Sequence, residues 1–124
     1  MGNAVSAMPA ELEASWRAMG LWQDVSLAEA MVRAACERPD APLHFFGASG
    51  ERVTTLGAVH AEGLRLAGVF HALGLRPGDT IAMQLPNGLE NAVLFQAAAA
   101  LGCTLLPIVH IYGPHELAHI LADS

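Results

Sequence analysis

His115-Glu116-Leu117-Ala118-His119 has the spacing of a zinc-binding helix. Residues four apart share a helix face, so two imidazoles can hold one Zn²⁺ while the intervening carboxylate activates a bound water. A catalytic zinc also needs a third protein ligand, and five residues follow His119. The extended motif places Gly three positions on, where this chain has Ala122. The segment is also short for the central helix of a protease. These points favour a solvated helix face; zinc peptidase chemistry and adventitious metal binding are the rival readings.

Other residues invite chemistry less directly. His110 and Tyr112 follow an apolar run, Thr104 to Val109, at what would be the carboxyl end of a strand. Ligands of open α/β sheets bind on that side. The two residues either line a pocket or simply lead into the last helix. Gly47-Ala48-Ser49-Gly50 offers a Gly-rich turn, but it lacks Lys, lies between two strand-like runs and precedes no helix N-terminus. A hairpin turn explains it better than a phosphate cradle. Asp79, in Pro77-Gly78-Asp79, is placed to hydrogen-bond its own turn rather than to act as an acid. His44, His60 and His71 have no partner spacing, and Cys36 and Cys103 are far apart and read as free thiols of a reducing cytoplasm. No catalytic, cofactor-binding or metal-binding residue is assigned.

The elements that would position these residues centre on Ala72 to Asn87. Gly74 can close a helix in the left-handed conformation, and Arg76-Pro77-Gly78-Asp79 is turn chemistry. Thr80 to Leu85 is apolar enough for a strand buried on both faces, Pro86 stops it, and Asn87, three residues before Glu90, can cap the next helix. Helix, strand, helix is the signature of an α/β layer with a parallel sheet.

Met1 to Met8 read as a disordered lead-in. Pro9 opens a short helix with Leu12, Trp16 and Met19 on one stripe and Gly20 at its end. Trp16 and Trp22 serve as anchors packing this extension onto the body, or else face a ligand. Ser26 and Glu29 form a capping box for a helix with Leu27, Met31 and Ala34/Ala35 inside, ended by Pro39. Pro42–Phe46 and Glu51–Thr55 make the hairpin. Thr55 caps a helix from Leu56 to Leu73 on which Val59, Leu66, Phe70 and Leu73 keep the 3.6 period. Gly57, Gly63 and Gly68 weaken that helix unless they allow close packing. Gly88 to Leu101 is a helix apolar all round near Ala97–Ala100, Thr104 to Val109 a second parallel strand, and Gly113-Pro114 opens the last helix. The expected fold is therefore α/β: a β-hairpin, two parallel buried strands and four to five helices.

Composition narrows the classes. The 124 residues are 53% hydrophobic and 15% charged, which suits one globular piece with much to bury. Net charge is −6, and all six basic residues are Arg, which argues against nucleic acid or anionic lipid as partner. Ala92 to Val109 is long and apolar enough to suggest a membrane span, but Gln96, Gly102 and Pro107 interrupt it. Two buried elements joined at Gly102 explain it better. The first twenty residues contain Glu11, Glu13 and Arg17 and no secretory apolar core, so a cytoplasmic location is expected.

Gly74-Leu75-Arg76-Pro77-Gly78-Asp79, the strand after it, and Leu85-Pro86-Asn87 with Glu90 resemble the N-terminal part of AMP-forming acyl-CoA synthetases, the adenylate-forming ligases. Gly102, Pro107, Glu116-Leu117, Leu121 and Asp123-Ser124 extend the resemblance, which runs from about Gly20 to Ser124. Thr55 and Ala58 depart from it, where the family usually has Tyr and Leu. The His110–Glu116 wording and the Trp16-to-Trp22 opening look closest to synthetases of cyclohexanecarboxylate-like, aromatic or medium-chain acids. The resemblance implies ATP, Mg²⁺ and coenzyme A as cofactors of the whole enzyme. It also implies a Lys-bearing phosphate loop, later motifs and a C-terminal Lys, none of which maps onto this Lys-free sequence. The expectation is a scaffold piece, 1–20 being an extension and 21–124 a partial N-terminal subdomain. Alone it would be inactive, and its partner would be the remainder of the ligase, a separately made remainder, or a second copy through open sheet edges.

Overall fold

The computed structural model describes residues 9–124, so the expected lead-in at Met1 to Met8 lies outside the described residues. Nine elements follow in order: α1 (Ala10–Ala18), α2 (Leu27–Glu37), β1 (Pro42–Gly47), β2 (Gly50–Thr55), α3 (Leu56–Ala72), β3 (Thr80–Met83), α4 (Leu89–Leu101), β4 (Thr104–Pro107) and α5 (Pro114–Asp123). The expected α/β architecture is present: β1 and β2 form an antiparallel hairpin, and β3 and β4 pair in parallel across the intervening α4.

Local chemistry sets the helix ends. Ser26 Oγ accepts the Glu29 N–H at 3.2 Å while the Glu29 carboxylate accepts the Ser26 N–H at 2.7 Å, a reciprocal cap on α2. Thr55 Oγ1 accepts the Ala58 N–H at 3.2 Å and starts α3 directly from the hairpin. Gly74, at φ 104°, closes α3, and Gly102, at φ 69°, closes α4, each in the left-handed region. The turn between α3 and β3 is tied by Asp79 Oδ2, which accepts the Arg76 N–H at 2.7 Å, as the Pro-Gly-Asp spacing implies.

The core is built on α3 against α4, with α2 laid across both. Val59, Gly63 and Ala67 are the buried row of α3, four residues apart, and Ala97 and Ala98 are the buried pair of α4. Small residues on both sides let the two backbones approach. A Cβ on Gly63 would overlap Cβ of Gln96, and one on Gly57 would meet Pro39; Gly68 has open space around it. Two of the three glycines therefore serve close packing. Leu73 projects into solvent and Leu27 stands off the core, so the inner stripe of α2 runs through Ala28, Met31 and Ala35 instead.

The parallel pair is shorter than the sequence implies. β3 ends at Met83 rather than Leu85 and β4 at Pro107 rather than Val109, because the two prolines, Pro86 and Pro107, lack the N–H that a ladder needs. Burial is one-sided: Met83 is buried and Ile81 partly so, while Ala82 faces outward. Asn87 is not the cap of α4. Gly88 takes that position in an extended conformation, with no side chain bonded across the first turn. α1 buries none of its residues. Trp16 and Trp22 lie 6.3 Å apart, ring to ring, with the Arg17 guanidinium 5.2 Å from the Trp22 ring centre. They border a shallow depression with Leu27, Ala30 and Arg33 near the start of α2, away from the α3–α4 core.

Candidate functional site

The carboxyl ends of β3 and β4 open side by side, and the loops that leave them carry the residues of interest. The ladder pairs Met83 with Pro107, and the Ile108 N–H then adds one bond to the Met83 carbonyl at 2.7 Å. Beyond that point β3 turns away through Leu85-Pro86. The side chain of Gln84 continues where the backbone stops: its Nε2 lies 2.8 Å from the Tyr112 carbonyl oxygen, 3.3 Å from that of Val109 and 3.5 Å from that of His110. The Tyr112 N–H bonds the Val109 carbonyl at 3.0 Å, making the segment a closed turn. His110 and Tyr112 are thus held at the mouth of the parallel pair, both exposed, with Ile111 between them 77% exposed. The sequence reading passed over Gln84. Its signal was a lone amide inside an otherwise apolar strand run.

A second concavity of about 470 Å³ lies between the hairpin and the segment that enters α4. Phe45, Phe46 and the Ala48-Ser49 turn form one wall, and Leu85 to Leu89 the other. Arg52 closes its rim by pairing with Glu90 at 2.6 Å. That guanidinium, with the Glu90 backbone N–H after it, holds the Glu90 carboxyl below the ordinary glutamate range. Both side chains are more than half exposed, so the pair contributes little to stability. Gly47 to Gly50 is a hairpin turn whose two central residues are Ala48 and Ser49, and no helix begins there.

His115 and His119 point to solvent on α5, and Glu116 is committed elsewhere. Its carboxylate accepts the Gly113 N–H at 3.0 Å and so caps its own helix. Among the described residues no three His, Cys, Asp or Glu side chains cluster in a way that would hold a metal ion. His44 pairs with Glu51 at 2.6 Å across the hairpin, and His60 Nδ1 meets Gln96 Oε1 at 3.0 Å between α3 and α4. His71 donates nothing to a site; its carbonyl accepts the Arg76 guanidinium at 2.9 Å. Cys36 and Cys103 are free thiols.

A family model described as AMP-binding enzyme matches residues 31–124. The chain belongs to the AMP-binding enzyme family. Among AMP-binding relatives, the salicyl-AMP ligase / salicyl-S-ArCP synthetase of Mycobacterium tuberculosis is 34% identical over 94% of this chain and 21% of its own length. The medium-chain fatty-acid–CoA ligase of Escherichia coli is 34% identical over 87% of this chain and 19% of its own length. The N-terminal domain of FACL13 from Mycobacterium tuberculosis, solved with a bound inhibitor, superposes with a TM-score of 0.72 at 30% identity, covering 80% of this chain and 25% of that one. The chain therefore spans about a fifth of the length of these ligases and corresponds to their N-terminal part. Among the described residues no helix is long and apolar enough to cross a membrane; the Ala92–Val109 run is split into α4, the Gly102 turn and β4.

Proposed function

We propose that this chain is the N-terminal scaffold of an AMP-forming acid–thiol ligase. The whole enzyme would activate an acyl or aryl carboxylate with ATP and Mg²⁺ and pass it to a thiol such as that of coenzyme A. Within the chain, residues 1–20 serve as an extension and 21–124 as a partial N-terminal subdomain. The observation that carries this reading is a parallel strand pair with both outer edges open, in a fold that matches a ligase N-terminal domain. A two-stranded pair is a poor unit on its own and calls for further strands.

The chain by itself would make no adenylate. Adenylyl transfer needs cations that clamp the phosphates, and this sequence has no Lys and no anion-binding loop. Four of its six Arg side chains are engaged in structural work: Arg17 with Glu13 and Asp24, Arg52 with Glu90, Arg65 with Glu62, Arg76 on the end of α3. A cytoplasmic location fits both the free thiols and the ATP-linked chemistry.

Graft exchange tests this. Residues 21–124 should replace the matching segment of the Escherichia coli medium-chain ligase and leave ATP–pyrophosphate exchange measurable, while the 124-residue chain alone shows none with any acid of a panel. A soluble graft without exchange would overturn the scaffold reading, and exchange by the chain alone would overturn its inactivity. The open edges also favour a second reading, an interaction module that pairs with a separately made remainder. Activity recovered on mixing the two unlinked pieces would support it.

A further inference from the structure

We infer that Gln84 is a positioning residue that sets the conformation of the Val109–Tyr112 turn at the mouth of the parallel pair. Three backbone carbonyls, those of Val109, His110 and Tyr112, converge on one terminal atom of this side chain. Carbonyl oxygens only accept, so the group facing them is the amide NH₂. Its two hydrogens serve the Tyr112 carbonyl at 2.8 Å and, between them, the two longer contacts.

The clip follows from the two prolines. Pro86 bends β3 away just where β4, past Pro107, still needs a partner, and the Ile108 N–H takes the last backbone acceptor, at Met83. The next carbonyls on that side have no strand opposite them. The Val109 carbonyl already accepts the Tyr112 N–H, and a long amide rooted on the neighbouring strand reaches it together with the carbonyls of His110 and Tyr112. Gln84 is itself half-buried, while the residues whose carbonyls it reaches are exposed. Its consequence is to fix which way His110, Ile111 and Tyr112 project from the sheet end.

Amide hydrogen exchange on the 124-residue chain tests it. The Tyr112 N–H is bonded only inside the turn, so its protection reports turn closure, while amides of the α3–α4 core report global stability. Gln84→Met keeps the length and removes the donor. Gln84→Lys keeps donors at nearly the same reach. In Gln84→Met, exchange at Tyr112 should rise about tenfold, as expected for losing one to two net hydrogen bonds, with core amides such as Ala67 changed far less. Gln84→Lys should restore most of the protection. Equal exchange at Tyr112 in wild type and Gln84→Met would overturn the inference. So would a rise shared uniformly by the core, or a Lys variant as open as the Met variant.

Discussion

Gly63 on α3 and Gln96 on α4 approach so closely that a methyl on the glycine would overlap the Cβ of the glutamine. One turn earlier on the same helix pair, His60 bonds the Gln96 amide oxygen at 3.0 Å. The side chain thus spans the interface where the backbones nearly touch. Gly63→Ala should force α3 from α4 and destabilise the chain by about 1–3 kcal/mol, the usual cost of overpacking. Gly68, five residues on, faces open space, and Gly68→Ala should stabilise by about 0.5–1 kcal/mol through helix propensity. Denaturant midpoints of the two variants should move in opposite directions. If both stabilise, the helices are not in the contact described.

Acid should loosen two specific joints. The Ser26 N–H, followed by its hydroxyl, holds the Glu29 carboxyl below the usual glutamate value, and Arg52 does the same for Glu90. A carboxyl with a depressed folded pKa adds stability above its unfolded pKa and loses it as pH falls through the folded one. The loss therefore begins below the ordinary value of about 4.5 and deepens with further acid. Glu29→Gln should be less stable than wild type at neutral pH and should narrow that gap in acid. Ser26→Ala should cost about 1 kcal/mol at neutral pH. Stability curves for Glu29→Gln and wild type that stay parallel from pH 7 to well below 4.5 would contradict the reciprocal cap.

Glu116 offers a direct contrast between two roles. As a helix cap for Gly113 it should tolerate Gln, whose amide oxygen still accepts the Gly113 N–H, far better than Ala, with the change read in the helicity and exchange of α5. As a metal-site base it would leave helicity alone and abolish peptide hydrolysis. We expect helicity to fall in Glu116→Ala, and His115→Ala with His119→Ala to leave stability within about 0.5 kcal/mol, as for exposed side chains. Stoichiometric zinc in untagged protein, lost in the double His variant, would reverse that assignment.

Capping chemistry was the most legible part of the sequence because it is local. Ser26, Thr55, Gly74 and Gly102 act within four residues of themselves, so their roles survive any tertiary context. Asn87 failed the same rule because the extended Gly88 moves the helix start one residue on, and glycine needs no side chain to do so. The buried stripe of α2 slipped by one, from Leu27 to Ala28, since a small residue can face a tight helix pair better than a large one. Gln84 stands as a lone amide in an apolar run, but its role was not legible, for a different reason. Its partners are backbone carbonyls 25 to 28 residues away, and no spacing rule points to them. The catalytic motif around Glu116 was set aside in favour of a solvated helix face, but nothing in that reading pointed to its actual partner three residues behind it.

The exposed apolar residues at the sheet mouth lead to the last prediction. Leu85, Val109, Ile111 and Tyr112 are each more than a third exposed, and they stand beside two unpaired strand edges. Isolated, such a surface should draw copies of the chain together as concentration rises, with neighbouring edges completing each other's hydrogen bonds. Ile111 is the test position, being the most exposed large apolar residue described and free of core contact. Ile111→Lys should shift sedimentation profiles toward monomer and leave the melting transition almost unmoved. Within the graft described above, the ligase remainder would cover this surface, so the same substitution should instead lower yield or exchange activity. A chain that stays monomeric at high concentration, with Ile111→Lys silent in the graft, would mean that neither a copy nor a remainder seats there.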